Sequence, residues 1–175
     1  MFWIIEPHAD DAFLSLHAHL TTLWSAHART IVTLFTDEER AEETAAYARA
    51  IGCRHMTLGL PDGRWGKPAM IPPLDDWLPQ GHGDVLICPL GLRHPDHIAA
   101  AHMPATWRYV DAPYGTRQDT ATELLDKIRG LRIVSLLHAS EDKRYYLAMF
   151  PSQFQRFALS PSEFPPRTEL VVCTS

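Results

Sequence analysis

Phe2-Trp3-Ile4-Ile5-Glu6-Pro7-His8-Ala9-Asp10-Asp11-Ala12 stands almost at the start of the chain, and its reading decides the fold. Phe2–Glu6 is a short run, apolar up to its closing Glu6, and reads as a buried strand. Beyond it, over Asp10–Ala28, Phe13, Leu16, Leu20 and Leu23 or Trp24 recur at helical spacing. A buried strand followed by an amphipathic helix is the repeating unit of an α/β fold, and the rest of the chain continues the alternation.

Thr30–Phe35, β-branched and apolar, reads as a second buried strand. Glu38–Ile51 is an Ala- and Glu-rich helix that stops at Gly52. His55–Leu60 is a third strand, Pro61–Pro73 a loop, and Asp84–Pro89 a fourth, nearly continuous apolar strand. Helices are expected over Pro95–His102, Ala121–Arg129 and Glu141–Phe150, and strands over Trp107–Val110, Arg132–Leu137 and Glu169–Val172. The pattern predicts one Rossmann-like α/β domain spanning residues 1–175, with a mostly parallel sheet and helices on both faces.

Composition narrows the function classes. The 175 residues are 46% hydrophobic and 21% charged, which fits a packed globular fold. A net charge of −5 gives no basic footprint for nucleic acid. The longest apolar runs are far too short for a membrane span, and no secretory signal is evident. Three cysteines without CxxC spacing fit a reducing cytoplasm and no thiolate zinc site. A homo-oligomer is compatible with all of this. Ten histidines remain the unusual count.

In doubly wound sheets, ligands bind beyond the carboxyl ends of the strands. Pro7-His8-Ala9-Asp10-Asp11 follows the first strand there, and Arg93-His94-Pro95-Asp96-His97 follows the fourth. Two imidazoles and one carboxylate with an open position form a recognised catalytic zinc arrangement. A further carboxylate can take a proton from an attacking water, and a further histidine can stabilise an oxyanion or protonate a leaving amine. The residues therefore point to metal-assisted hydrolysis of an amide or ester. Against this stands a plain reading: Asp10 caps the first helix, and His94 and His97 are ordinary loop groups.

At these positions the sequence resembles the PIG-L/LmbE-like family of zinc-dependent N-deacetylases, which carry a Pro-His-x-Asp-Asp string and a later His-x-Asp-His string. Arg40-Ala41-Glu42-Glu43, Leu60-Pro61-Asp62-Gly63, Asp111-Ala112-Pro113-Tyr114 and Lys143 with Ser152-Gln153 resemble further family signals, in the same order. The resemblance runs from about residue 2 to about residue 155. It implies His8, Asp11 and His97 as ligands of one Zn2+ per chain, another divalent metal being admissible, and Asp10 as general base. It implies His94 as the group facing the tetrahedral intermediate and Asp96 as a support for one imidazole, while Arg40 and Asp62 hold substrate hydroxyls. The implied substrate is a small N-acyl amine, an N-acetylated amino sugar or conjugate.

Departures accompany the match. Ala9 stands where a Pro is common, Ala12 where a Glu is common, and the stretch from His97 to Trp107 is short. Trp65 suits stacking on a sugar or anchoring its loop. His17 and His19, two apart on a helix, cannot face one way together, so no second metal site is expected there. The rival readings are a non-catalytic metal- or ligand-binding member of the same fold, a metal-dependent phosphoesterase, and a nucleotide-binding Rossmann enzyme. The last lacks a G-x-G-x-x-G string after the first strand.

Overall fold

The computed structural model describes residues 1–63, 70–79, 81–112, 114–116, 118–138, 142–152 and 168–174. Trp65, Pro113, Glu141 and Gln153, which figure in the sequence reading, lie outside these residues. β1 (Phe2–Glu6) leads to α1 (Asp11–Ala18), β2 (Arg29–Phe35), α2 (Glu38–Ala50) and β3 (Arg54–Leu60). β4 (Val85–Pro89), α3 (Pro95–Ala101) and β5 (Trp107–Tyr109) follow. α4 (Ala121–Ile128), β6 (Leu131–His138), α5 (Asp142–Leu147) and β7 (Thr168–Thr174) complete the order. Among the described residues, seven strands form one sheet in the order β3-β2-β1-β4-β5-β7-β6. The first five run parallel, and β7 pairs antiparallel with both β5 and β6. The mostly parallel α/β fold expected from the sequence is the fold observed.

β1 is apolar up to its last residue, Glu6, for a physical reason. Phe2 and Ile4 enter one core layer with Phe13 and Leu16 of α1, Tyr47 of α2, Leu147 of α5 and Phe150 just beyond it. Trp3 and Ile5 enter the other, with Leu86, Cys88, Ala100 and Met103. Central strands of a parallel sheet are covered on both sides, so every residue of β1 is buried. The edge strand β6 is less covered, and Ile133 and Leu136 are exposed there.

The first helix is shorter than the periodicity over Asp10–Ala28 suggests. It ends at Ala18 and continues as one π-helical turn, His19–Leu23. The cause is a side chain inserted into the amide ladder. Glu169 Oε2, from β7, accepts from the backbone N–H groups of Ala18 (2.8 Å) and His19 (3.2 Å). Thr21 Oγ1 donates back to the carbonyl of His17 at 2.8 Å. His17 and His19 are both fully buried and diverge, His17 Nδ1 lying 3.0 Å from the Tyr47 hydroxyl and His19 Nδ1 3.1 Å from Glu169.

The order of strands places the site. From β1 the chain moves outward through β2 to β3, then returns to lay β4 on the other side of β1. The direction of winding reverses between β1 and β4, and the crevice at their carboxyl ends is the topological switch point. The loop after β4 must pass close beneath α3 there. Gly91 permits it with φ +84°, and a Cβ added at this residue would stand 2.5 Å from Ala101 Cβ and 3.1 Å from the His97 carbonyl. Gly91→Ala is expected to destabilise by roughly 1–3 kcal/mol through backbone strain, and by a similar amount through the forced contact, on the order of 1–3 kcal/mol. Urea unfolding checks this: an unchanged midpoint would contradict the close approach.

Candidate metal centre

His8 follows β1, and His94 and His97 stand at the start of α3, so the switch point brings three imidazoles together from two loops. One nitrogen from each lies within 4.8 Å of the other two. Asp11, the first residue of α1, turns its Oδ2 back to accept the His8 backbone N–H at 2.7 Å. The same oxygen lies 3.5 Å from His8 Nδ1 and 3.2 Å from His97 Nε2. The remaining nitrogen of each imidazole is tied elsewhere. His8 Nε2 is 3.0 Å from Asp96 Oδ2, and His97 Nδ1 is 3.2 Å from Asp111 Oδ1.

The other sequence-selected residues ring this cluster. Asp10 occupies the N-cap position of α1, yet its side chain makes no cap hydrogen bond. Its Oδ1 faces Arg40 Nη2 at 3.7 Å, so helix capping does not explain the carboxylate. His94 is the N-cap of α3, its Nδ1 accepting from the Asp96 N–H at 3.3 Å. Asp96 also takes the Gly63 N–H at 2.8 Å, which ties the Pro61-Asp62-Gly63 segment to the site. Asp62, exposed, can join His8 and Asp96 in a second grouping of donor atoms. All eight residues singled out in the sequence thus lie at this end of the sheet.

Charge at the site is strongly organised. Burial opposes a charged His8, but hydrogen bonds to Asp11 and Asp96 outweigh it and lift its pKa to about 9. Burial likewise opposes a charged His97, and the Asp11 and Asp111 carboxylates raise it to about 10. Burial would raise Asp11, yet His97 and His8 hold it far below the usual carboxylate range. Asp10 moves the other way: burial, then the charge of Asp11, push it up to about 6 against the pull of Arg40. Burial and the neighbouring imidazoles lower His94. Carboxylates that favour positive charge on two facing imidazoles form a donor set suited to a divalent cation.

Two buried carboxylates here escape selection from sequence. Asp111 enters there only as part of a motif, and nothing in its own spacing reveals that it reaches His97 from the end of the neighbouring strand β5. Glu6, the last residue of β1, accepts from the Ala12 N–H at 3.0 Å and from the Thr33 hydroxyl. Burial first, with the Asp11 and Asp10 charges adding, pushes its pKa up to about 8. Its place at the end of an otherwise apolar strand is the available signal.

No protein-family model matches the chain, and no curated protein matches it by sequence. Solved structures do share its fold. A conserved protein of Thermus thermophilus is 19% identical with a TM-score of 0.58, covering 98% of this chain and 93% of that one. The 4-carboxy-2-hydroxymuconate hydratase of Pseudomonas putida is 10% identical with a TM-score of 0.55, covering 97% and 94%. An N,N'-diacetylchitobiose deacetylase of Pyrococcus horikoshii is 14% identical with a TM-score of 0.46, covering 90% and 73%. Among the described residues, no helix is long and apolar enough to cross a membrane.

Proposed function

We propose that this chain is a zinc-dependent hydrolase that removes an acyl group, an acetyl group foremost, from a small N-acyl amine such as an amino sugar or its conjugate. One observation carries the reading. The inner nitrogens of His8 and His97 converge on Asp11 Oδ2 at 3.5 and 3.2 Å, while their outer nitrogens are bound to Asp96 and Asp111. Metal-binding imidazoles are held in this way, with the second nitrogen on a carboxylate that fixes the ring.

His8, Asp11 and His97 would hold the ion, with the third imidazole, His94, at the mouth. When bound, a zinc ion supplies a Lewis acid for the acyl carbonyl and acidifies a nearby water. Asp10 takes the proton from the attacking water, its carboxylate being buried beside Asp11 and not spent on capping. His94 faces the oxyanion as the carbonyl becomes tetrahedral, and Asp10 or His94 returns a proton to the leaving amine. Arg40 and the exposed Asp62 border the same crevice and would bind substrate hydroxyls. The resemblance of both strings to the N-deacetylase family supports the amide as the bond broken.

The test is amine release from a panel of N-acyl amino sugars and other N-acyl amines, with and without chelator, beside a metal analysis. Turnover with about one zinc per chain, abolished by chelator and restored by zinc, is the expected result. Metal-free, inert protein with His8, Asp11 and His97 intact would overturn it. Stoichiometric zinc with no turnover across the panel would favour the non-catalytic reading instead.

A further inference from the structure

Asp111 is fully buried, and each of its oxygens has a partner. Oδ2 accepts the backbone N–H groups of Gly91 at 2.8 Å and Leu92 at 2.7 Å, in the loop between β4 and α3. Oδ1 lies 3.2 Å from Nδ1 of His97, whose Nε2 is the nitrogen 3.2 Å from Asp11. Backbone N–H groups can only donate, so Oδ2 is committed to the loop. The other oxygen is left as an acceptor, which requires a proton on His97 Nδ1 and leaves Nε2 for a metal.

We propose that Asp111 is a positioning residue that sets the tautomer of His97, so that Nε2 is the metal-facing nitrogen. The inference rests on the metal reading above. The carboxylate does two separable jobs: it clamps the loop under α3, and it selects the ring nitrogen.

Asparagine separates them. In Asp111→Asn the two fixed backbone donors hold the amide oxygen on the loop side, so the amide NH2 faces His97. Nδ1 must then accept, the ring proton moves to Nε2, and the metal-facing lone pair is lost while the clamp remains. Asp111→Ala removes both functions. Zinc affinity is measured by competition with a chromophoric chelator, and thermal unfolding is followed in excess chelator. The expected result is that both variants lose affinity by roughly 10–100-fold or more, while only the alanine variant loses much stability. A purely structural role would instead make the affinity loss follow the stability loss, with asparagine near wild type.

Wild-type affinity retained in Asp111→Asn overturns the proposal and leaves the metal reading standing. Wild-type protein that binds no zinc overturns both. A second measurement needs no variant: long-range 1H–15N spectra of the zinc-loaded wild type should show His97 protonated at Nδ1. A proton on Nε2 there overturns the proposal even if the asparagine variant fails to fold.

Discussion

Asp10→Asn is expected to lower kcat for amide hydrolysis by roughly 10²–10⁴-fold, the usual contribution of a positioned general base, while zinc content stays at the wild-type level. The expectation follows from the division of labour between two adjacent aspartates. Asp11 is bound on several sides, to the His8 N–H and against both imidazoles, so it belongs to the framework of the site. Asp10 makes no cap hydrogen bond and faces Arg40 at 3.7 Å. Asparagine is as good an N-cap residue as aspartate, so the helix start should survive the change. The amide keeps the shape and loses the ability to take a proton. Asp11→Asn is the contrast: it weakens the attraction on His8 and His97 and should lower zinc content itself. The two variants are compared by kcat and by metal analysis on the same preparations. Retained turnover in Asp10→Asn would remove its role as base and leave the metal reading intact.

The two strings are legible because the chemistry is local in sequence on each side of the crevice. His8, Asp10 and Asp11 fall within five residues after β1, and His94, Asp96 and His97 within a span of four around the start of α3. The buried strands that carry them have an unambiguous signature, since a strand covered on both faces tolerates no polar alternate. The order β2-β1-β4 then brings the two strings to one switch point, which the rule for open α/β sheets anticipates. What escapes the sequence depends on contacts between distant segments. Asp111 reaches His97 and the Gly91–Leu92 amides only because β5 lies beside β4. The early end of α1 is set by Glu169, about 150 residues away, and helical periodicity over Asp10–Ala28 holds no trace of it. The two-residue spacing of His17 and His19 turns them apart, as the structure has them. Their complete burial cannot be inferred from a helix taken alone, because it is β6, β7, α2 and α5 that cover them.

Glu169→Ala should be the most destabilising single change in that buried network, exceeding Lys143→Met. Glu169 Oε1 accepts from Lys143 Nζ at 2.9 Å, and Oε2 serves the Ala18 and His19 amides and lies 3.1 Å from His19 Nδ1. Removing one partner of a buried ion pair costs about 3–5 kcal/mol, because the other charge stays buried without it. Loss of the carboxylate also takes an acceptor from the Ala18 N–H, worth roughly 0.5–1.5 kcal/mol, while the His19 N–H keeps the Leu16 carbonyl. Loss of the ammonium is milder, since the carboxylate keeps its donors from α1 and the π-helical turn. At roughly 2–4 °C per kcal/mol for a chain of this size, a loss near 5 kcal/mol would lower Tm by about 10–20 °C. Replacing both partners with apolar residues should recover part of the loss, as buried pairs often break even against packed hydrophobes. The pH dependence has a definite sign. Burial opposes ionisation of Glu169, but the His19 hydrogen bond and the Lys143 charge prevail and hold its pKa below the ordinary value. Its stabilising contribution is therefore complete above the unfolded-state pKa and is lost as pH falls through the lower folded value. Urea midpoints taken from pH 7 downward should fall in the wild type and fall less in Glu169→Ala; parallel curves would refute the assignment. Because Glu169 holds the end of α1 while Asp10 and Asp11 stand at its start, zinc binding well below the transition should stay near wild type. If it does not, the network reaches the metal centre through the helix.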